Sequence, residues 1–175
     1  MKMVFPTLEY KNKAIAFIQE FYEYDSEING SGSLDNYLKE STYEEWLKKT
    51  IADVDIANIK PNHVPALTYF YVREEDNRIV GMVNIRLSLN DFLRREGGHI
   101  GYSIRPTERQ KHYGTMMLGE ALKVCDIIGI KDVIITCDKV NLASSKVIQN
   151  HHGVLVDEFY SNTYKQVIQK YVIHR

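Results

Sequence analysis

The chain has 175 residues, 44% of them hydrophobic, and its 22 Lys and Arg against 23 Asp and Glu leave a net charge of −1. That length points to one domain, 1–175, able to bury about two thirds of its unfolded surface without disulfide or metal staples. Balanced charge excludes a global attraction to nucleic acid or to an anionic membrane, and no stretch approaches the roughly 18 apolar residues of a membrane span, so a cytoplasmic protein is expected.

In chain order, Val4 and Phe5 ahead of Pro6 predict a short extended start. Asn12 to Tyr24 reads as a helix with Ala14, Phe17, Ile18 and Phe21 on one face. Asp25 to Asp35 is polar and rich in Gly and Ser, the composition of a mobile loop or a lid. Ser41 or Thr42, with Glu44 or Glu45 three residues on, predicts the cap of a helix striped by Tyr43, Trp46, Leu47, Thr50, Ile51 and Val54. Pro61 and Pro65 close this helical region.

The period then changes to two. Leu67 to Val72 and Ile79 to Leu87 predict a hairpin around the polar turn Glu74 to Arg78. A charged connection, Asn90 to Gly98, leads into a strand carrying Ile100, Tyr102 and Ile104. Arg105 to Gly114 is a charged turn, and Met117, Leu118, Ala121, Leu122, Cys125 and Ile128 mark one buried stripe of a helix. Lys131 to Cys137 predicts a strand, Asn141 to Asn150 a short helix capped by Asn141, and Val154 to Phe159 and Tyr164 to Ile173 two further strands. This order suits an α/β sandwich with a mixed sheet. The strand ending near Arg105 and the strand at Val133 should run parallel, because a helix of about four turns returns the chain between them.

A strand that passes through a tight charged turn into a helix makes an anion site, since the first N–H groups of a helix lack partners within it. Arg105, Arg109, Lys111 and His112 add side-chain donors there, and no proline interrupts Glu108 to Thr115. Cys125 and Cys137 lack framework spacing and read as buried free thiols. His151 and His152 have no further ligands at metal-site spacing, so no metal is expected.

Arg109, Gln110, Lys111, His112, Tyr113 and Gly114 resemble the acetyl-CoA loop of the GCN5-related N-acetyltransferases, the GNAT superfamily, which reads Arg or Gln, two residues, Gly, one residue, Gly or Ala. His112 stands where the inner glycine is usual. The run from Asn141 to Gly153 is similar to the family's second signature, an Asn-capped short helix that ends in glycine before a strand. The resemblance implies a GNAT-like α/β sandwich, a mixed and mostly antiparallel sheet of about six to seven strands flanked by about four helices. It also implies that acetyl-CoA is the acetyl-donor cosubstrate. Its pyrophosphate would be held by the amides of Arg109, Gln110, Lys111, His112, Tyr113, Gly114 and Thr115, and its pantetheine arm by the strand edge at Ile104, with Asn141 and Ser144 beside it.

Acetyl transfer to an amine needs a base, because an alkyl ammonium has a pKa near about 10, and a donor for the oxyanion. The family often places a carboxylate near the start of the strand leading into the loop, where Glu96 and His99 lie. His99, with an ordinary pKa near about 6.5, is the first choice. A tyrosine of the second-signature helix often protonates the leaving thiolate. Ile148 occupies the matching position here, which leaves Tyr164, or Tyr113 in the loop, as substitutes.

The expected acceptor is the primary amine of a small molecule. A protein or peptide amine and a catalytically weak CoA-binding sensor are the alternatives, and the sequence leaves a homodimer open. Glu20, Glu23, Asp25, Glu27, Asp35, Glu44 and Glu45 form an acidic group that would favour cationic acceptors if it faced the cleft.

Overall fold

Apolar residues at alternate positions make the strands two-faced, and each face of the first sheet finds its own cover. A computed structural model describes all 175 residues. In order the elements are β1 (Lys2–Val4), α1 (Lys11–Glu23), α2 (Leu34–Glu40), α3 (Tyr43–Ala52), β2 (Ala66–Arg73), β3 (Arg78–Arg86), β4 (Ile100–Ile104), α4 (Tyr113–Ile127), β5 (Asp132–Asp138), α5 (Leu142–Gln149), β6 (Val154–Ser161) and β7 (Gln166–His174). The first sheet has the order β1-β2-β3-β4, the second β5-β7-β6, and every ladder is antiparallel.

Phe70 lies opposite Met82, and both pack with Phe17, Phe21, Leu34, Tyr43 and Trp46 in a core under α1 to α3. Their chain neighbours Tyr71 and Val83 point the other way, with Ile85 and Ile100, into a core built on Met117, Leu118 and Leu122 of α4 and on Val133, Ile135 and Tyr171 of the second sheet. Thr42 caps α3 by accepting from the Glu45 N–H (3.2 Å), and Asn141 caps α5 by accepting from the Ser144 N–H (3.0 Å).

Three features depart from the sequence reading. No parallel ladder joins β4 to β5. The two sheets meet where the His99 N–H donates to the Ile134 carbonyl (2.6 Å) and the Ile134 N–H donates to His99 Nδ1 (2.9 Å). The imidazole takes the donor that a continuing ladder would use, and β4 itself pairs only with β3. Second, α2 has no counterpart in the periodicity: its seven residues include one buried residue, Leu34, and it follows Ser33 in the left-handed region. Third, the Gly- and Ser-rich segment, rather than standing off as a lid, lies on the first sheet. The Asn29 N–H donates to Ser103 Oγ (2.6 Å), Trp46 Nε1 donates to the Gly32 carbonyl (2.9 Å), and Ser31 is buried. Glycine is required at 30, where φ is +75° and a Cβ would stand 2.2 Å from the Gly101 carbonyl oxygen.

The Gly30→Ala variant is expected to lose about 2 kcal/mol or more of stability, because backbone meets backbone and neither can swing aside. Thermal unfolding should then show a midpoint at least about 4 °C lower. An unchanged midpoint would mean that the segment does not dock as described.

Candidate active site

Between β4 and α4 the chain turns through Arg105 to His112, and both ends of that turn are tied to α1 and β3 by charge. Glu20 of α1 accepts from Arg105 Nη1 (2.6 Å), Thr107 N–H (3.1 Å), Thr107 Oγ1 (2.7 Å) and Arg78 Nη2 (3.3 Å). Burial pushes the Glu20 carboxyl up, but the Thr107 and Arg105 donors outweigh it and hold it below its ordinary value. Buried Glu108 accepts from Arg73 (3.0 Å) and Lys111 (2.9 Å), with Arg78 Nε at 3.3 Å. Arg109 donates to the Ile104 carbonyl (3.2 Å) and to Ser26 Oγ (2.7 Å), its guanidinium 5.6 Å from the centre of the Phe21 ring. The side chains of Arg109 and Lys111 therefore serve the turn itself.

The backbone of the turn is what remains to bind. The N–H groups of Gln110, Lys111, His112, Tyr113, Gly114 and Thr115 have no acceptor within the protein; the next, Met116, bonds back to the His112 carbonyl (3.1 Å). Gln110 and His112 both have φ of +62°, and His112 is the N-cap of α4. The side chain at 112 thus occupies the backbone region that glycine would favour, and its ring is exposed. Six consecutive free donors at a helix N-terminus make an anion cradle.

Beside it, β4 offers a half-free edge. The Arg86 N–H donates to the His99 carbonyl and the Arg105 N–H to that of Val80, so in antiparallel register the odd residues of β4 bond β3. Ile100, Tyr102 and Ile104 turn their amides to the open side. Across that opening the Tyr102 hydroxyl meets Ser144 Oγ of α5 at 3.0 Å, with the buried Cys137 thiol as another neighbour of Ser144. Burial pushes the Tyr102 phenol well up and the Cys137 thiol up to about 11, so both stay protonated at neutral pH. The sequence reading took Tyr102 for a strand residue only, because its alternation with Ile100 and Ile104 masked the hydroxyl. Asn141 spends its side-chain oxygen on the α5 cap, and Tyr113 packs against the core under α4. Ile148 is fully buried.

At the start of β4 the structure separates the candidates for base. His99 is buried, its Nδ1 accepts from Ile134, and burial, then the charges of Arg86 and Arg94, push it from 6.5 down to about 4. With Nδ1 occupied, the neutral ring carries its proton on Nε2, and neither nitrogen is free to take another. This corrects the choice of His99 as base: the ring is a fastener between sheets. Glu96 is half-buried, with Oε2 accepting from Ser161 Oγ (2.6 Å). Tyr164 lies in the turn between β6 and β7 rather than at the head of a strand, its N–H donating to Ser161 Oγ (3.0 Å) and its ring against Phe92 (6.4 Å). Burial raises the Tyr164 phenol, Arg86 opposes, and Glu96 and Asp138 add to the rise, so these groups share one neighbourhood.

Three members of the acidic group expected to line a cleft are engaged within the protein, while Glu23, Asp25, Glu27 and Glu45 are exposed. Glu20 turns inward to Arg105, Glu44 pairs with Lys11 (2.6 Å), and Asp35 accepts from Ser31 Oγ (2.6 Å). His151 Nε2 donates to the Thr115 carbonyl (2.7 Å), and no group of three or more His, Cys, Asp or Glu could hold a metal.

The profile of the Acetyltransferase (GNAT) domain family matches residues 17–153. Among solved structures, a GNAT-family acetyltransferase from Streptococcus pneumoniae superposes with a TM-score of 0.66 at 17% identity, over 98% of this chain and 96% of that one. The ribosomal L7/L12 alpha-N-protein acetyltransferase RimL, in complex with coenzyme A, gives 0.70 at 14% identity, over 98% and 92%. A spermidine N-acetyltransferase SpeG chimera from Vibrio cholerae and hSSAT gives 0.63 at 14% identity, over 99% and 96%. No curated protein matches the chain by sequence alone.

Because the folded state holds the His99 pKa below its unfolded value, the unfolded chain binds more protons between about pH 6.5 and about pH 4. Stability from this residue is therefore complete above that window and is lost as pH falls through it, by up to about 3 kcal/mol. Denaturant melts of the wild type and of His99→Asn, whose Oδ1 can still accept from Ile134, should differ in slope only inside the window. Parallel profiles would contradict the buried neutral imidazole.

Proposed function

As the chain belongs to the GNAT acetyltransferase family, we propose that it transfers the acetyl group of acetyl-CoA to the primary amine of a small molecule, with residues 1–175 acting as one catalytic domain. The observation that carries the reading is the run of six unpartnered amides from Gln110 to Thr115. In it the pyrophosphate is held by backbone, so the His112 departure from the family's glycine costs nothing in donors. The pantetheine arm follows the open edge of β4 at Ile104 and Tyr102, between the two sheets, with Asn141 and Ser144 on its far side. The mixed acceptors of its structural neighbours leave the amine to be settled by the pocket itself.

Acetyl-CoA supplies the acetyl group as a thioester. The amine nitrogen attacks the thioester carbon, the carbonyl oxygen gains charge, and an amide on the open edge of β4 donates to it. Glu96, the carboxylate nearest the start of β4, takes the ammonium proton directly or through water. The departing thiolate is protonated by the Ser144 hydroxyl, which Tyr102 backs with its own proton, or by Tyr164 from the side of the β6–β7 turn. The Tyr102–Ser144 contact favours the first, because it spans the gap where the arm would lie.

Titration calorimetry is expected to show CoA binding to the wild type and to His112→Gly with affinities within about tenfold of each other, since glycine keeps both the N–H and the positive φ. His112→Pro removes the N–H and forces φ near about −65°, and should weaken binding by about 100-fold. Absence of binding by the folded wild type at millimolar CoA would overturn the assignment.

Glu96→Gln should lower kcat by about 10²-fold and abolish its fall at acid pH. Ser144→Ala should slow thioester cleavage more than Tyr164→Phe does. The reverse order would move the proton donor to Tyr164.

A further inference from the structure

Arg86, the last residue of β3, is a half-buried guanidinium with no carboxylate within salt-bridge distance. Every other arginine that is buried or half-buried is paired: Arg73 with Asp76 and Glu108, Arg78 with Glu20 and Glu108, and Arg105 with Glu20. Nη1 of Arg86 donates both of its protons to backbone, to the carbonyls of Gly97 (2.9 Å) and Gly98 (2.8 Å), which fixes the plane of the group. Nε and Nη2 bond to nothing in the protein, yet neither is a buried orphan, so both reach solvent-accessible space. These two nitrogens form the side-on edge of a guanidinium, whose parallel N–H groups match the two oxygens of a carboxylate.

The position of this edge is equally specific. A Cβ on Gly101 would stand 3.4 Å from the Gly30 nitrogen and 3.6 Å from Nη2, so the fork lies where the Gly30 segment crosses β4, one residue along from Tyr102. Tyr164 and Arg94 are near enough to exchange charge effects with Arg86 or with its neighbour His99. Three acids of the helical side are engaged elsewhere: Glu44 by Lys11, Glu20 by Arg78 and Arg105, and Asp35 by Ser31.

We propose that Arg86 is the specificity-determining residue for the acceptor, and that the acceptor is a small amine bearing a carboxylate, which the free Nε and Nη2 edge binds while the amine faces the open side of β4. This rests on the reading of the chain as a small-molecule acetyltransferase, and it reverses the preference for cationic acceptors expected from the sequence. Fixing the far end of the acceptor orients its nitrogen, so recognition appears in kcat/KM. Loss of the charge leaves two donors facing a neutral group, which discriminates against amides and decarboxylated amines.

The test uses matched pairs: the proteinogenic amino acids and the series from β-alanine to 6-aminohexanoate, each beside its carboxamide, with thiol release from acetyl-CoA as readout. At least tenfold higher kcat/KM for the acid of the best pair is expected in the wild type, and a ratio near one in Arg86→Gln. Because that variant also frees the Gly97 and Gly98 carbonyls, calorimetric binding of the N-acetylated acids and amides to the wild type gives a second readout that needs neither the variant nor turnover. Acids and amides that react and bind alike overturn the fork and leave acetyl transfer standing. Selective binding of the acids without thiol release from any amine sustains the fork and overturns the acetyltransferase reading.

Discussion

Where β4 begins, the His99 N–H reaches across to Ile134 and the His99 ring takes the Ile134 N–H in return, so the two sheets are fastened at one end and left apart along the rest of β4. Each such bond contributes about 1 kcal/mol net, but a buried donor left without its acceptor costs about 1–3 kcal/mol, so the pair is harder to break than to do without. Everything that makes a site depends on this one-ended joint. A ladder running the full length of β4 would consume the amides of Tyr102 and Ile104. A joint missing altogether would let the second sheet, with α5 and Ser144, lose its register against Tyr102.

The turn that follows β4 is fixed by charge rather than by apolar packing. Glu20 and Glu108 each gather several donors, and Arg105 spends Nε on the Ile79 carbonyl (2.8 Å) while Nη1 holds Glu20. Desolvation consumes much of what such pairs gain, so they add little net stability; what they determine is position. Glu20 ties α1 to Arg105 and Thr107, and Arg109 ties the same helix, through Ser26 and Phe21, to the last carbonyl of β4. The helical layer and the anion cradle are thereby one mechanical unit.

Much of this was legible in the chain. Period-two runs gave β2, β3 and β4, the Thr42 and Asn141 caps were readable from spacing, and the loop from Arg109 to Gly114 stood out beside the signature from Asn141 to Gly153. The split between the sheets was not legible, since it depends on a side chain taking a backbone donor from a strand more than thirty residues away. Nor was α2, which hides most of its seven residues from any core. His99 was misjudged for the same reason that it is useful: the sequence shows an imidazole, while only the fold shows its nitrogens engaged. Arg86 carried no signal at all, because an arginine at a strand end is ordinarily a solvated one.

Gln110 and His112 hold positive φ in a turn pinned by the bonds of Arg105, Thr107, Glu108 and Arg109, and that has a thermodynamic consequence for any phosphate that would settle there. Ordering a residue costs about 1–2 kcal/mol, so aligning six amides on arrival would consume roughly 6–12 kcal/mol of the association energy. Here the alignment is completed during folding, between a strand fixed to α1 and a helix fixed to both sheets. A phosphate bound there would therefore meet a rigid receptor, with modest entropy loss, little change in heat capacity, and an affinity governed by ionic strength more than by temperature.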